Sequence, residues 1–327
     1  MMRQQTEAAK RQAMELNVFV LSTGFHYYFS TLLIGFLGLE NVAYIMFQPR
    51  EGIERRAGER YPVAYADARD PATRFFGKKA GKLRFALRAF GELGLAGRHV
   101  RVFSPYFNDS MLYALRRQLA RRAASVEYNM VPDGAALLRH LPGKSPKASV
   151  LRSLAERVFG IEAADTRHKS GSYSSFLSHV YHFPAREVHA DAAKLVIVGV
   201  PDSAQCNNGQ VLVLGGLGGI SQGFVRAARA ASAGLPVRYR MHPKNRSGEQ
   251  FIVEQAPEWR ELQLRGILEE HLLADPYELV LGHYSSAVMF NQLFVPSSRS
   301  RFIIDRAQED PDYHDTADAC GIPVDLV

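Results

Sequence analysis

A chain of 327 residues with 46% hydrophobic and 22% charged residues can bury a large core, and its length makes two domains the expectation. The net charge of +7 favours anionic partners such as nucleotides, phosphorylated sugars or an anionic membrane face. No aromatic-flanked basic segment or zinc finger marks a nucleic-acid binder, and Cys206 and Cys320 are too few for a disulfide framework, so a reducing, cytoplasmic setting is expected.

The first segment, Met1 to Asn17, is charged and helix-forming and lacks a secretory signal pattern. Val18 to Leu39 carries no Asp, Glu, Lys or Arg and has the length of a bilayer span. Ser22-Thr23-Gly24-Phe25-His26 interrupts it after a β-branched run, however. A strand from Asn17 to Leu21, a glycine turn and a buried helix from Tyr27 to Leu39 fit better. Val42 to Phe47 predicts a second strand, Ala80 to Leu95 a helix and His99 to Phe103 a third strand. Ser110 to Arg122 predicts an amphipathic helix with Arg116, Arg117, Arg121 and Arg122 on or near one side. Val126 to Val131 is strand-like and ends at Pro132-Asp133-Gly134. Strands alternating with helices imply parallel βαβ units and a doubly wound sheet.

Pro142 to Lys147 reads as a loop, and a less regular region follows, with a Ser-rich stretch from Ser170 to Ser178. A second α/β block opens near Ala192. Its expected strands are Leu195 to Val200, Val211 to Leu214, Val237 to Arg240 and Glu278 to Leu281. Helices are expected at Ser221 to Ala233 and Ala287 to Leu293. There is no internal repeat. The expected architecture is therefore two doubly wound Rossmann-like domains, 1–188 and 189–327, facing a central cleft that holds a ligand at the carboxyl ends of the strands.

Candidate chemistry falls on those strand ends. His242 follows the strand Val237 to Arg240, and Pro243 restricts its backbone, so the imidazole is held ready to protonate or hydrogen-bond a leaving phosphate. Ser285 and Ser286 open a helix. Hydroxyls and helix-terminal N–H groups there cap the helix or cradle phosphate oxygens, two uses of the same donors. Gly215-Gly216-Leu217-Gly218-Gly219 misses the dinucleotide fingerprint and has no P-loop lysine. It reads equally as a flexible turn and as a close approach to a nucleotide by Gly216, Gly218 and Gly219. Asp133 suits an acceptor-activating base, although Pro-Asp-Gly turn chemistry alone is the stronger reading. Glu269 and Glu270 lie in a helical stretch, where a solvated face is the usual outcome. Asp310 to Asp315 is acidic but terminal and loop-like, and no metal requirement is expected.

Taken in order, Pro132-Asp133-Gly134, His242-Pro243 and Ser285-Ser286 resemble the motifs of bacterial sialyltransferases of glycosyltransferase family 52 and of the capsular polysialyltransferases. Tyr181-His182-Phe183-Pro184 is similar to that group's lead into its second domain. One departure stands out: where that group has an acidic-acidic-glycine motif, the first acidic position here is Pro132, which leaves Asp133 to act alone. The resemblance implies a GT-B fold and metal-free, inverting transfer from CMP-sialic acid to a hydroxyl of a lipooligosaccharide or capsular glycan, with no cofactor. Asp133 would be the base and His242 the acid. Pro243, Ser285, Ser286 and the glycine turn would hold the donor, with Glu269 on the ribose hydroxyls. The arginine-rich helix suggests peripheral contact with the inner membrane near a lipid-linked glycan acceptor.

Two enzyme alternatives share these features. CDP-polyol phosphotransferases of the teichoic-acid type show a similar His-Pro strand end and a turn like Tyr284-Ser285-Ser286, and His26 keeps that reading open. A CMP-Kdo transferase needs the same CMP pocket. Outside enzymes, a nucleotide-sugar or glycan binding protein remains an alternative.

Overall fold

The computed structural model describes residues 14–21, 23–46, 63–65, 88–89, 91–107, 110–133, 136–138, 167, 170–199, 206–216, 220–242, 245–264, 266–309 and 311–327. They form two compact units. One comprises Met1–His182 with His189–Val198, the other Phe183–Val188 with Gly199–Val327.

The first unit is built on strands β1 (Glu15–Leu21), β2 (Val42–Met46), β3 (Val63–Tyr65), β4 (His99–Ser104), β5 (Ser125–Met130), β6 (Leu177–His182) and β7 (Leu195–Ile197). All pairings are parallel, in the order β3-β2-β1-β4-β5-β6-β7. β1 and β2 are near-continuous apolar runs because a central parallel strand is covered on both faces. Phe19 of β1 stacks on Phe103 of β4 with ring centroids 4.4 Å apart. Val18 to Leu39, long enough for a bilayer, divides into β1 and helix α1 (Gly24–Leu37). Thr23 caps α1, accepting from the His26 N–H, and Gly38 ends it in the left-handed region at φ 60°. Among the described residues no helix is long and apolar enough to cross a membrane.

Helix α2 (Ser110–Arg122) has the predicted bounds but a different polar face. Arg116 is buried, with its guanidinium carbon 3.3 Å from the Phe176 ring centroid and 5.1 Å from that of Tyr128. Attraction between the cation and the two ring faces draws it inward. Arg121 and Arg122 remain exposed, and Arg117 is half-buried.

Leu195–Ile197 corrects a second expectation. Read as the opening of the second block, it is the edge strand of the first sheet, pairing with β6. β6 itself, within the region read as irregular, supplies the edge on which it forms. The predicted helix Ala80 to Leu95 lies mostly outside the described residues.

The second unit contains β8 (Val211–Leu214), β9 (Val237–Arg240), β10 (Arg260–Glu261), β11 (Leu279–Gly282), β12 (Arg299–Ile304) and β13 (Val324–Leu326). They too are parallel, ordered β10-β9-β8-β11-β12-β13. Helices α3 (Gln222–Ser232), α4 (Arg246–Gln255), α5 (Leu268–Ala274), α6 (Ser286–Phe294) and α7 (Pro311–Cys320) connect them. Val211, Val213, Phe224, Ala228, Ile252 and Leu281 anchor one core cluster of this unit. Most of the segment from Asp310 to Asp315, expected to be a loop, belongs to α7, where Pro311 starts the helix and Thr316, Ala317 and Cys320 are buried. The strand order of each sheet reverses beside its first strand, between β1 and β4 and between β8 and β11. Those reversals are the points where open α/β sheets leave a crevice at the carboxyl edge.

Candidate functional site

At the carboxyl edge of the first sheet, two chain segments converge. β1 runs into α1, whose first turn carries His26, and β5 runs into the loop that carries Asp133. Because β4 alone separates β1 from β5, the two strand ends lie about 9–10 Å apart in the sheet, within reach of two side chains. His26 Nε2 meets Asp133 Oδ1 at 2.8 Å. The partners are unequal: the His26 side chain is 0% exposed and that of Asp133 23%. With Asp133 ionised, the bond requires the proton on Nε2, so the imidazole donates and the carboxylate accepts. The turn reading of Asp133 also holds, since its carbonyl accepts from the Ala136 N–H at 3.0 Å. Gly134 lies outside the described residues.

The carboxyl edge of the second sheet gathers the other candidates. His242 lies just beyond β9, half-buried, and its N–H donates to the Gly215 carbonyl at 3.1 Å. The Gly215 N–H in turn donates to the Arg240 carbonyl at 3.0 Å, so the ends of β8 and β9 are tied together. Asn245 extends the tie. Its Nδ2 donates to the Gly216 carbonyl at 3.0 Å, while its Oδ1 caps α4 by accepting from the Gly248 N–H at 3.0 Å. Pro243 lies outside the described residues.

Ser285 is the N-cap of α6; its Oγ accepts from the Ala287 N–H at 3.2 Å. The cap and the end of the helix dipole make this a partially positive corner, two strands from His242 in the order β9-β8-β11. Ser286, the first helical residue, is exposed. Glu269 is buried in the first turn of α5, on the chain that leads out from β10, whereas Glu270 is half-buried; neither lies on the solvated face usual for such pairs.

The described glycines have packing reasons of their own. A Cβ on Gly215 would come within 2.2 Å of Met241 Cε, and one on Gly216 within 3.2 Å of His283 Cβ. Gly218 and Gly219 lie outside the described residues.

Two residues here escaped the sequence reading. Asn245 could have been found from its place ahead of a helical run, as Asn is a favoured cap. His283, in the turn between β11 and α6, lies against Gly216. Its Nε2 is buried and has no hydrogen-bond partner among the described residues, while Gln308 hydrogen-bonds the ring. Burial, its largest influence, lowers its pKa and favours the neutral imidazole. A lone histidine in a turn has no sequence signature that would single it out.

The two edges therefore offer an oriented, partly exposed carboxylate in one unit. In the other they offer an imidazole, the buried nitrogen of a second histidine and a helix N-terminus. Such groups can accept a proton from a hydroxyl and stabilise charge on a phosphate. Among the described residues no cluster of three or more His, Cys, Asp or Glu has metal-ligand geometry.

No protein-family model matches the chain, and no curated protein matches it. Solved structures do. The GT-B domain of a sialyltransferase from Photobacterium damselae is 10% identical, over 94% of this chain and 95% of that one, with a TM-score of 0.53. A UDP-GlcNAc 2-epimerase from Methanocaldococcus jannaschii is 11% identical, over 96% of this chain and 89% of that one, with a TM-score of 0.50. One from Neisseria meningitidis, bound to UDP-GlcNAc, is 7% identical over 88% and 82%, also at 0.50. At these identities the likeness shows the fold: two Rossmann-like α/β units of the GT-B type. Transferases and epimerases share it, so the reaction must be argued from side chains.

Proposed function

We propose that this protein is an inverting, metal-independent glycosyltransferase. It moves sialic acid from CMP-sialic acid to a hydroxyl of a cell-surface glycan, a lipooligosaccharide or a capsular chain. The observation that carries the reading is the unequal exposure of the His26–Asp133 pair. Had His26 been the exposed member, a histidine base and the CDP-polyol phosphotransferase would be favoured. The exposed member is the carboxylate, which supports sugar transfer.

In this mechanism Asp133 takes the proton of the acceptor hydroxyl as its oxygen bonds to the anomeric carbon. The bond from that carbon to the phosphate oxygen breaks, and its electron pair leaves with CMP. His242 donates a proton or hydrogen bond to the departing phosphate. The α6 N-terminus, with Ser285 and Ser286, stabilises the phosphate charge. Glu269 serves the ribose hydroxyls. A single displacement of this kind inverts the anomeric centre. The donor is a substrate, and no cofactor enters the scheme. Arg121 and Arg122 give the last turn of α2 an exposed basic end. It would rest on the anionic cytoplasmic membrane face, close to a lipid-linked acceptor.

The test is a thermal-shift series with CMP, CDP, UDP and GDP, followed by turnover of CMP-sialic acid, CMP-Kdo and CDP-glycerol. Stabilisation by the cytidine nucleotides together with release of CMP from CMP-sialic acid supports the reading. Stabilisation by UDP or GDP alone sinks it, and turnover of CDP-glycerol alone transfers the argument to phosphotransfer. Sedimentation with anionic liposomes at low salt checks the membrane contact.

A further inference from the structure

We infer that His26 is a positioning residue, fixing which oxygen of Asp133 acts as the base. The inference rests on the reading of Asp133 as the acceptor-activating group.

Asp133 stands in a loop beyond β5, and the carbonyl contact to Ala136 fixes its main chain rather than its carboxylate. Rotation of that carboxylate is stopped by His26. The main chain of the histidine is fixed by the α1 cap, in which Thr23 Oγ1 accepts from its backbone N–H at 3.2 Å, and its side chain is completely buried. The 2.8 Å bond from Nε2 engages Oδ1, so Oδ2 is the oxygen assigned to the acceptor. A base that must meet a hydroxyl at hydrogen-bond distance gains from such restraint, because small misplacements of a reacting group lower the rate steeply. His26 touches no reacting atom. In the step above the proton still passes from the acceptor oxygen to Asp133 Oδ2.

The experiment compares His26→Leu, His26→Gln, Asp133→Asn and the His26→Leu/Asp133→Asn pair in the full chain. Transfer from CMP-sialic acid is measured with each, after thermal melts have shown which variants fold. His26→Leu should lower kcat about 10- to 100-fold with the donor KM unchanged, a share of the ~10²–10⁴-fold that a general base contributes. His26→Gln, which keeps an N–H at similar reach, should recover most of the rate. In the Asp133→Asn background His26→Leu should cost nothing further. Wild-type kcat in His26→Leu, equal losses in Gln and Leu, or additive losses in the pair would each overturn the inference.

Nitrogen-15 NMR of the imidazoles gives a readout independent of turnover. The His26 signal, assigned by its loss in His26→Gln, should report a proton on Nε2 and shift in Asp133→Asn. An unshifted signal overturns the pair. A wild type that turns over no CMP-sugar while this signature holds overturns the proposed reaction instead.

Discussion

His26 and Asp133, 107 positions apart in the chain, meet at 2.8 Å with the histidine wholly buried and the aspartate partly exposed. In the familiar serine hydrolase arrangement the carboxylate is the buried support and the imidazole the working base. Here the burial is the other way round, and so are the proposed roles. Strand order brings the two residues together, since β4 alone separates the strands that lead into them.

Asp133→Asn keeps the shape of the side chain and removes its basicity. Transfer should fall by about 10²–10⁴-fold, the usual contribution of a positioned base. Binding of CMP, which is assigned to groups of the other unit, should be unchanged by calorimetry. Wild-type transfer in this variant would remove Asp133 from the mechanism.

His242→Ala should abolish most turnover of CMP-sialic acid while CMP itself still binds. The loss should shrink with donors whose leaving group departs without protonation. A variant that turns over every donor at the wild-type rate would show the strand-end histidine to be structural.

Gly282→Ala should destabilise the second unit by about 1–3 kcal/mol, the usual cost of overpacking. The new Cβ would stand 2.9 Å from the Leu214 carbonyl oxygen and 2.9 Å from Val288 Cγ2, and the carbonyl belongs to β8, where it has no room to retreat. A lowered urea midpoint at constant m-value is the expected signature.

Stability should fall on mild acidification. Burial, the largest influence on both, holds the pKa values of His271 and His283 below the ordinary imidazole value of 6.5. A depressed folded value means that the unfolded chain binds these protons first. The stability is fully present above about pH 6.5 and is lost as pH falls from there through the folded values. Urea midpoints at pH 7.5 and pH 5.5 should differ accordingly, and the difference should narrow in His271→Gln and His283→Gln variants that still fold.

Local pattern made much of the fold legible. Val211–Leu214 and Val237–Arg240 form strands over the residues predicted, and α2 has the bounds its periodicity implied. Apolar runs and amphipathic spacing are written in neighbouring residues, so they need no partner to be read. The short strands β3, β10 and β13, three residues or fewer, lack that repetition and escaped. Periodicity groups Arg116 with Arg117, Arg121 and Arg122, because its attraction to Phe176 crosses 60 positions of sequence and no helical spacing records such a contact.

By itself the sequence determined two α/β blocks and put His242, Ser285 and Asp133 after strands, because strand and turn propensities act over a few residues. Tertiary structure alone decided that Leu195–Ile197 completes the first sheet, that Gly215 and Gly216 make room for Met241 and His283, and that His26 meets Asp133. Those outcomes depend on strand order and burial, which arise only when distant segments share one sheet and one core.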